Sequence, residues 1–180
     1  MKFSPKERLF EIMKKINPEM EKPNKPRILI PVGISGSGKS TWIKSNTDSN
    51  TIVVCPDDIR KELTGDISNQ SKNSEVWSIA FDRIVKALNN GKNVILDATN
   101  VNSHDRKRLM DYLKNNVNKP FDAFAKIFDV DPEIAKQRIK NDIEKGVDRS
   151  NVPDWAIDKQ YKNFMNGINS LEDEGFKIIN

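Results

Sequence analysis

Residues 28–42 read ILIPVGISGSGKSTW. An apolar run, Ile28 to Val32, stops at a turn of glycine and serine, and the turn leads into Lys39, Ser40 and Thr41. A short apolar run ended by glycine predicts a buried strand, and the residues from Lys39 to Asn46 predict a helix. Between them, Gly33 to Ser40 fit the spacing GxxxxGK(S/T), the Walker A pattern. Gly33, Gly36 and Gly38 let backbone N–H groups turn inward beside Ser35 and Ser37, and the helix N-terminus adds partial positive charge. Such a loop cradles phosphate. Lys39 is expected to reach the β- and γ-phosphates of a nucleoside triphosphate, and the Ser40 hydroxyl to ligate Mg²⁺. ATP with Mg²⁺ is the expected ligand, bound by Gly33, Ser35, Gly36, Ser37, Gly38, Lys39, Ser40 and Thr41.

Outward from the loop, strand and helix patterns alternate. TIVVC (51–55), NVILDA (93–98), FDAFAKIFDV (121–130) and GFKIIN (175–180) read as strands. Helices are expected from Pro56, over 73–90, over 103–116, over 131–146 with Asp131 as N-cap, and over 153–169. The long helix over 73–90 should end at Gly91. This alternation predicts an α/β domain with a P-loop NTPase fold: a parallel sheet of about five strands with helices on both faces. Before it, residues 4–17 form an amphipathic pattern with Leu9, Ile12, Met13 and Ile16 on one face, followed by a Pro-rich stretch. The expected organisation is an N-terminal helical arm and linker over 1–26, then a kinase domain over 27–180 with a lid around 138–153.

Composition sets limits on the rest. Of 180 residues, 36% are hydrophobic and 31% charged, as in an ordinary globular protein. No apolar run nears the roughly 18 residues of a membrane span, and the N-terminus lacks the apolar region of a signal peptide, so no membrane partner is expected. A single cysteine, Cys55, can form neither an intrachain disulfide nor a cysteine cluster for metal, and the expected setting is reducing and cytoplasmic. The net charge of +4 resides mostly in residues 1–26, so a nucleic-acid partner cannot be argued from bulk charge; it would need a local basic groove.

The Walker A loop does not say where a γ-phosphate goes. No Asn-Lys-x-Asp motif of a GTPase is present, and the length favours a small kinase over a motor ATPase. The acceptor side is sought beyond the carboxyl ends of the strands. The second strand ends in VVCPDDIR (53–60), where Asp57 is a candidate base for an acceptor hydroxyl. Arg60, one helical turn on, is a candidate phosphate clamp. Helix capping would also account for two aspartates here. The third strand ends in VILDATN (94–100). Asp97 closes it as a Walker B carboxylate would, a metal ligand with Ser40, and Thr99 and Asn100 follow at the rim. Turn chemistry alone explains those two almost as well. Arg138, Lys145 and Arg149 fall in a basic segment fit to close over ATP, and the sequence does not choose among them. His104 reads as a surface residue and Arg106, Lys107 and Arg108 as a solvated face or a nucleic-acid contact. Trp77, Phe81 and Ile84, at helical spacing, read as core rather than as base-stacking residues, and Trp155 and Tyr161 as core rather than as a border of the acceptor groove.

Taken together, GISGSGKSTW, PDDIR, ILDATN, FDVDPEIAKQR and the Val152-Pro153 pair resemble the phage-type 5′-polynucleotide kinase of the P-loop kinase superfamily, over about Arg27 to Met165. Trp42 and the Asp-Asp-x-Arg spacing are the more specific parts. The resemblance implies Asp57 as general base for a 5′-hydroxyl and Arg60 on the phosphate 3′ of the accepting nucleotide. It implies a lid arginine on the ATP phosphates, in a segment where Lys145 stands at the family's basic position and Arg149 is the substitute. The expected reaction is transfer of the ATP γ-phosphate to a 5′-hydroxyl end of DNA or RNA. A kinase of a small molecule or of a tRNA-linked hydroxyl is the alternative, and a non-catalytic nucleotide-binding module the third. A homo-oligomer is left open.

Overall fold

The computed structural model describes residues 25–180. The expected N-terminal helix and most of its linker lie outside the described residues. The chain runs β1 (Arg27–Val32), α1 (Lys39–Asn46), β2 (Thr51–Val54), α2 (Pro56–Thr64), a 3₁₀ turn (Gln70–Lys72) and α3 (Asn73–Asn89). It continues with β3 (Asn93–Leu96), α4 (Ser103–Asn116), β4 (Asp122–Ile127), α5 (Pro132–Glu144), α6 (Asp154–Gly167), a second 3₁₀ turn and β5 (Lys177–Ile179). Every expected strand and helix of residues 27–180 is present. Gly91 follows α3 at φ 75°, a left-handed conformation that favours glycine, and the Asp131 side chain accepts from the Glu133 N–H to start α5.

The five strands order β2-β3-β1-β4-β5, all parallel. The strand before the glycine loop is central, and all six of its residues register with Asp122 to Ile127. Period two sends Ile28, Ile30 and Val32 to one face. There they join Val94, Leu96 and Ala125 beneath Val76, Ala80, Ile84 and Leu88 of α3 and Leu109 and Leu113 of α4. Each such side chain contributes about 1.5–3 kcal/mol by leaving water. On the opposite face Leu29, Ile95 and Phe124 meet Trp42 of α1 around a groove of about 290 Å³. A smaller cluster of Ile34, Ala135, Ile139 and Ile157 pins the glycine loop under α5 and α6.

Two readings are corrected. Arg106 does not belong to a solvated basic face: it is buried, and its guanidinium reaches Glu174 at 2.6 Å, Asn100 O at 2.9 Å and Gly167 O at 2.6 Å. The arginine lies on the inner side of α4, where Ser103, Ser170 and Glu174 complete a polar network that satisfies it. Trp155 is not core either; it is 68% exposed in the first turn of α6, while Tyr161 stacks on Phe164. No helix among the described residues is long and apolar enough to cross a membrane.

Candidate active site

The loop Gly33–Ser40 leaves the central strand and turns directly into α1. Gly36 and Gly38 have φ of 81° and 97°. A Cβ on Gly33 would sit 2.6 Å from Phe128 O, and one on Gly36 2.6 Å from Ala135 O, so close backbone approach requires glycine at both. Gly33 N–H donates to Thr99 O at 3.0 Å, joining the loop to the end of β3. Ser35 N–H donates to the Gln160 side chain of α6 at 2.8 Å. Gln160 lies 125 residues from Ser35, and no local pattern pointed to it.

Lys39 lies inside this ring. Its ammonium donates to Gly33 O at 2.8 Å, Ile34 O at 2.7 Å and Ser37 Oγ at 3.3 Å. Burial pushes its pKa down to about 8, with Asp97 opposing the shift and Arg149 adding to it. The Ser40 hydroxyl donates to both Asp97 carboxylate oxygens, at 3.2 and 3.1 Å. Burial raises the Asp97 pKa against the Ser40 hydrogen bond and the Lys39 charge, and the charges of Asp57 and Asp58 raise it further. The two ends of the site therefore share one electrostatic field. Ser40 and Asp97 could hold Mg²⁺, an ion that takes one or two protein carboxylates and otherwise phosphate and water oxygens. Among the described residues no cluster of three His, Cys, Asp or Glu could bind a metal by itself.

Asp57 stands in the first turn of α2, just beyond the end of β2. It is not a cap: the N-cap is Cys55, and no side chain caps this helix. One Asp57 oxygen pairs with Arg60 Nη1 and the other accepts from Ser150 Oγ at 3.4 Å. Asp57 keeps 46% of its side chain exposed, whereas that of Arg60 is 6% exposed. Arg60 Nη2 donates to Asn73 Oδ1 at 3.1 Å, and its Nε is buried with no partner. A buried orphan donor on an arginine is costly, and an incoming oxygen would relieve it.

At the rim, Thr99 and Asn100 part ways. Asn100, at φ 51°, spends its amide on Pro31 O, Leu96 O and Ala98 O, clipping β1 to β3. This is the turn chemistry, and it leaves the amide N–H groups no capacity for a substrate. Thr99 lines a cavity beside the site. Of the three basic candidates around 138–153, Arg138 donates to Gly36 O at 3.3 Å. Arg149 sits close enough to depress Lys39; it pairs with Asp142 at 2.6 Å and has a buried, unpartnered Nε. Lys145 is exposed at the end of α5. The Lys61–Asp148 pair, at 2.8 Å, ties this segment to α2.

The chain is 28% identical over 172 residues to a protein of Autographa californica nuclear polyhedrosis virus described as a bifunctional polynucleotide kinase/RNA ligase, covering 88% of the chain and 23% of that protein. It matches a chain of the Pnkp1/Rnl/Hen1 RNA repair complex at TM-score 0.71 and 25% identity, over 84% of this chain and 47% of that one. A structure of the PezAT toxin-antitoxin system of Streptococcus pneumoniae shares the fold at TM-score 0.63 and 16% identity, over 98% of this chain and 78% of that one. The chain thus spans less than half the length of the first two relatives. The family model AAA_33, an AAA domain, matches residues 28–166. With the phosphate loop, the parallel sheet and a family match over most of its length, the chain belongs to this P-loop AAA domain family.

Proposed function

We propose that the chain is an ATP-dependent kinase of 5′-hydroxyl polynucleotide ends. The observation that carries the reading is the Asp57–Arg60 pair. A half-exposed carboxylate sits next to a buried arginine with an unpartnered Nε, and the carboxylate shares the field of the Lys39, Ser40 and Asp97 cluster. A carboxylate orients and deprotonates a hydroxyl, and an arginine beside it binds the phosphate that follows the same sugar. The kinship with proteins named for polynucleotide kinase and RNA repair agrees with this acceptor.

In the proposed reaction the loop N–H groups and Lys39 hold the β- and γ-phosphates. Bound Mg²⁺, held by Ser40 and Asp97, would neutralise charge on those phosphates. Asp57 accepts the proton of the 5′-hydroxyl as its oxygen bonds to the γ-phosphorus. The bond from that phosphorus to the β,γ-bridging oxygen breaks, and ADP leaves. Arg149 and Arg138, from the segment over 138–153 acting as a lid, balance the charge on the transferred group. Arg149 would exchange its Asp142 contact for phosphate.

The test is transfer of labelled γ-phosphate from ATP to a 5′-hydroxyl DNA oligomer, a 5′-hydroxyl RNA oligomer, nucleosides and small metabolites. Label on an oligomer is expected. Label on a small molecule alone, or on nothing, overturns the acceptor assignment.

A further inference from the structure

A cavity of about 200 Å³ opens between the first turns of α3 and α4, beside the loop after β3. It begins where the Asp57–Arg60 pair ends. Asn73, which accepts from Arg60 at 3.1 Å, forms one wall, and Thr99, whose carbonyl holds Gly33, forms another. The lining mixes polar groups, among them Asn73, Thr99 and Asn102, with the apolar surface of Trp77, Phe81 and Leu96. Phe81 is core, but Trp77, one turn earlier on the same face of α3, is only half buried and lies against the space. The mouth carries Arg108, 5.7 Å from the Phe81 ring centroid, and Asp105; neither has an ion-pair partner among the described residues.

The size is informative. Sites that enclose a whole small ligand run to about 300–1,000 Å³, so this space suits one planar ring system rather than a nucleotide. An indole wall, a guanidinium and a carboxylate at the mouth match a nucleobase: the ring stacks, the carboxylate accepts from ring or exocyclic N–H groups, and the cation meets the adjoining phosphodiester. A half-buried tryptophan over open space is poor core packing, since its apolar face stays partly in water.

On the kinase reading above, Asp57 marks the 5′-hydroxyl and Arg60 the phosphate after the first sugar. The next base along the strand then falls beyond Asn73. We infer that this cavity is a subsite for the base of the second nucleotide of the acceptor strand, with Trp77 as its stacking platform and Arg108 against the phosphate that follows. The acceptor must then be at least a dinucleotide for full rate, and Trp77 and Arg108 determine specificity without touching the reacting atoms.

The experiment uses the full chain and 5′-hydroxyl tetranucleotides carrying one abasic residue at position 2 or at position 4. For the wild type, the position-2 abasic acceptor should raise the acceptor KM about 5- to 100-fold, the range one stacked base supports, with the ATP KM unmoved. Position 4 should change it less than about 2-fold. In Trp77→Ala the intact acceptor should already show the raised KM, and the position-2 penalty should vanish; Trp77→Phe should restore most of both. Equal use of the intact and position-2 abasic acceptors, or a penalty that survives Trp77→Ala, overturns the subsite. If no 5′-hydroxyl oligomer accepts phosphate, the kinase reading falls, and the subsite is judged by fluorescence. Quenching that Trp77→Phe removes and a position-2 abasic site abolishes supports it. No such quenching overturns it.

Discussion

At the scale of single residues, the site sets two charges against burial. Lys39 has a pKa near 8 inside the loop, far below its ordinary 10.5, so the ammonium is only marginally held at mildly alkaline pH. A bound polyphosphate favours the charged form and raises that pKa. ATP binding at pH 8.5 should therefore take up a fraction of a proton per molecule, seen as a dependence of binding heat on buffer ionisation enthalpy, and the uptake should vanish at pH 6.5 and in Lys39→Met. The same depression has a sign for stability. Between about pH 8 and 10.5 the unfolded chain holds more protons at this residue than the folded one, so this contribution to stability rises with pH across that window. For Asp57→Asn, kcat should fall about 10²- to 10⁴-fold, the usual worth of a positioned base, while the ATP Kd stays within about 2-fold. Unchanged turnover would remove Asp57 as the base.

At the scale of elements, the strands and helices follow from local pattern. ILIPV and VIL are apolar runs closed by glycine or aspartate, α3 has a stripe at Val76, Ala80, Ile84 and Leu88, and Gly91 stops it. The glycine loop was legible for the same reason: eight adjacent residues carry the whole device. Contacts between elements were not. Gln160 reaches Ser35 across 125 residues, Ser150 reaches Asp57 across 93, and Arg106 reaches Glu174 across 68. No spacing rule links residues so far apart, so Arg106 read as one more surface cation, and Asp57, read as the base, could not be separated from a cap by spacing alone. The basic segment behaves likewise: three candidates look alike in sequence, and only the folded chain sets Arg138 on Gly36 O and Arg149 near Lys39. Removing Arg149 with Ala should lower kcat about 10³-fold or more, with little change in acceptor KM. Arg149→Lys should recover only part of it, because a point charge lacks the planar fork.

At the scale of the whole molecule, stability should depend on the buried Arg106–Glu174 pair, whose side chains are 1% and 0% exposed. Burial pushes the Glu174 carboxyl up, but hydrogen bonds from Arg106, Ser103 and Ser170 outweigh it, and its pKa lies below the ordinary 4.5. Its contribution is present above that value and is lost on acidification through the lower folded-state pKa. Glu174→Gln or Arg106→Met alone should cost about 3–5 kcal/mol, since each leaves the other partner buried and uncompensated. Denaturant unfolding of the two single variants and the double variant checks this; the double variant should cost clearly less than the sum. Because Arg106 also holds the Asn100 carbonyl, and Asn100 clips β1 to β3, either single variant should loosen the glycine loop and weaken ATP binding as well.

The central place of β1 also bears on the order of events at the ribosome. Its two sheet neighbours, β3 and β4, come much later in the chain, and the last residue of β4, Ile127, follows Val32 by roughly 95 residues. At synthesis rates of roughly 5–20 residues per second, Ile28 to Val32 spend about 5 to 20 s without their full pairing. Phe128, whose backbone packs against Gly33 and whose N–H closes on Val32 O, arrives later still. A nucleotide therefore cannot help this part of the nascent chain fold early: the glycine loop is translated well before the strands that complete it, and its bare apolar strand is a natural client for chaperones in the meantime.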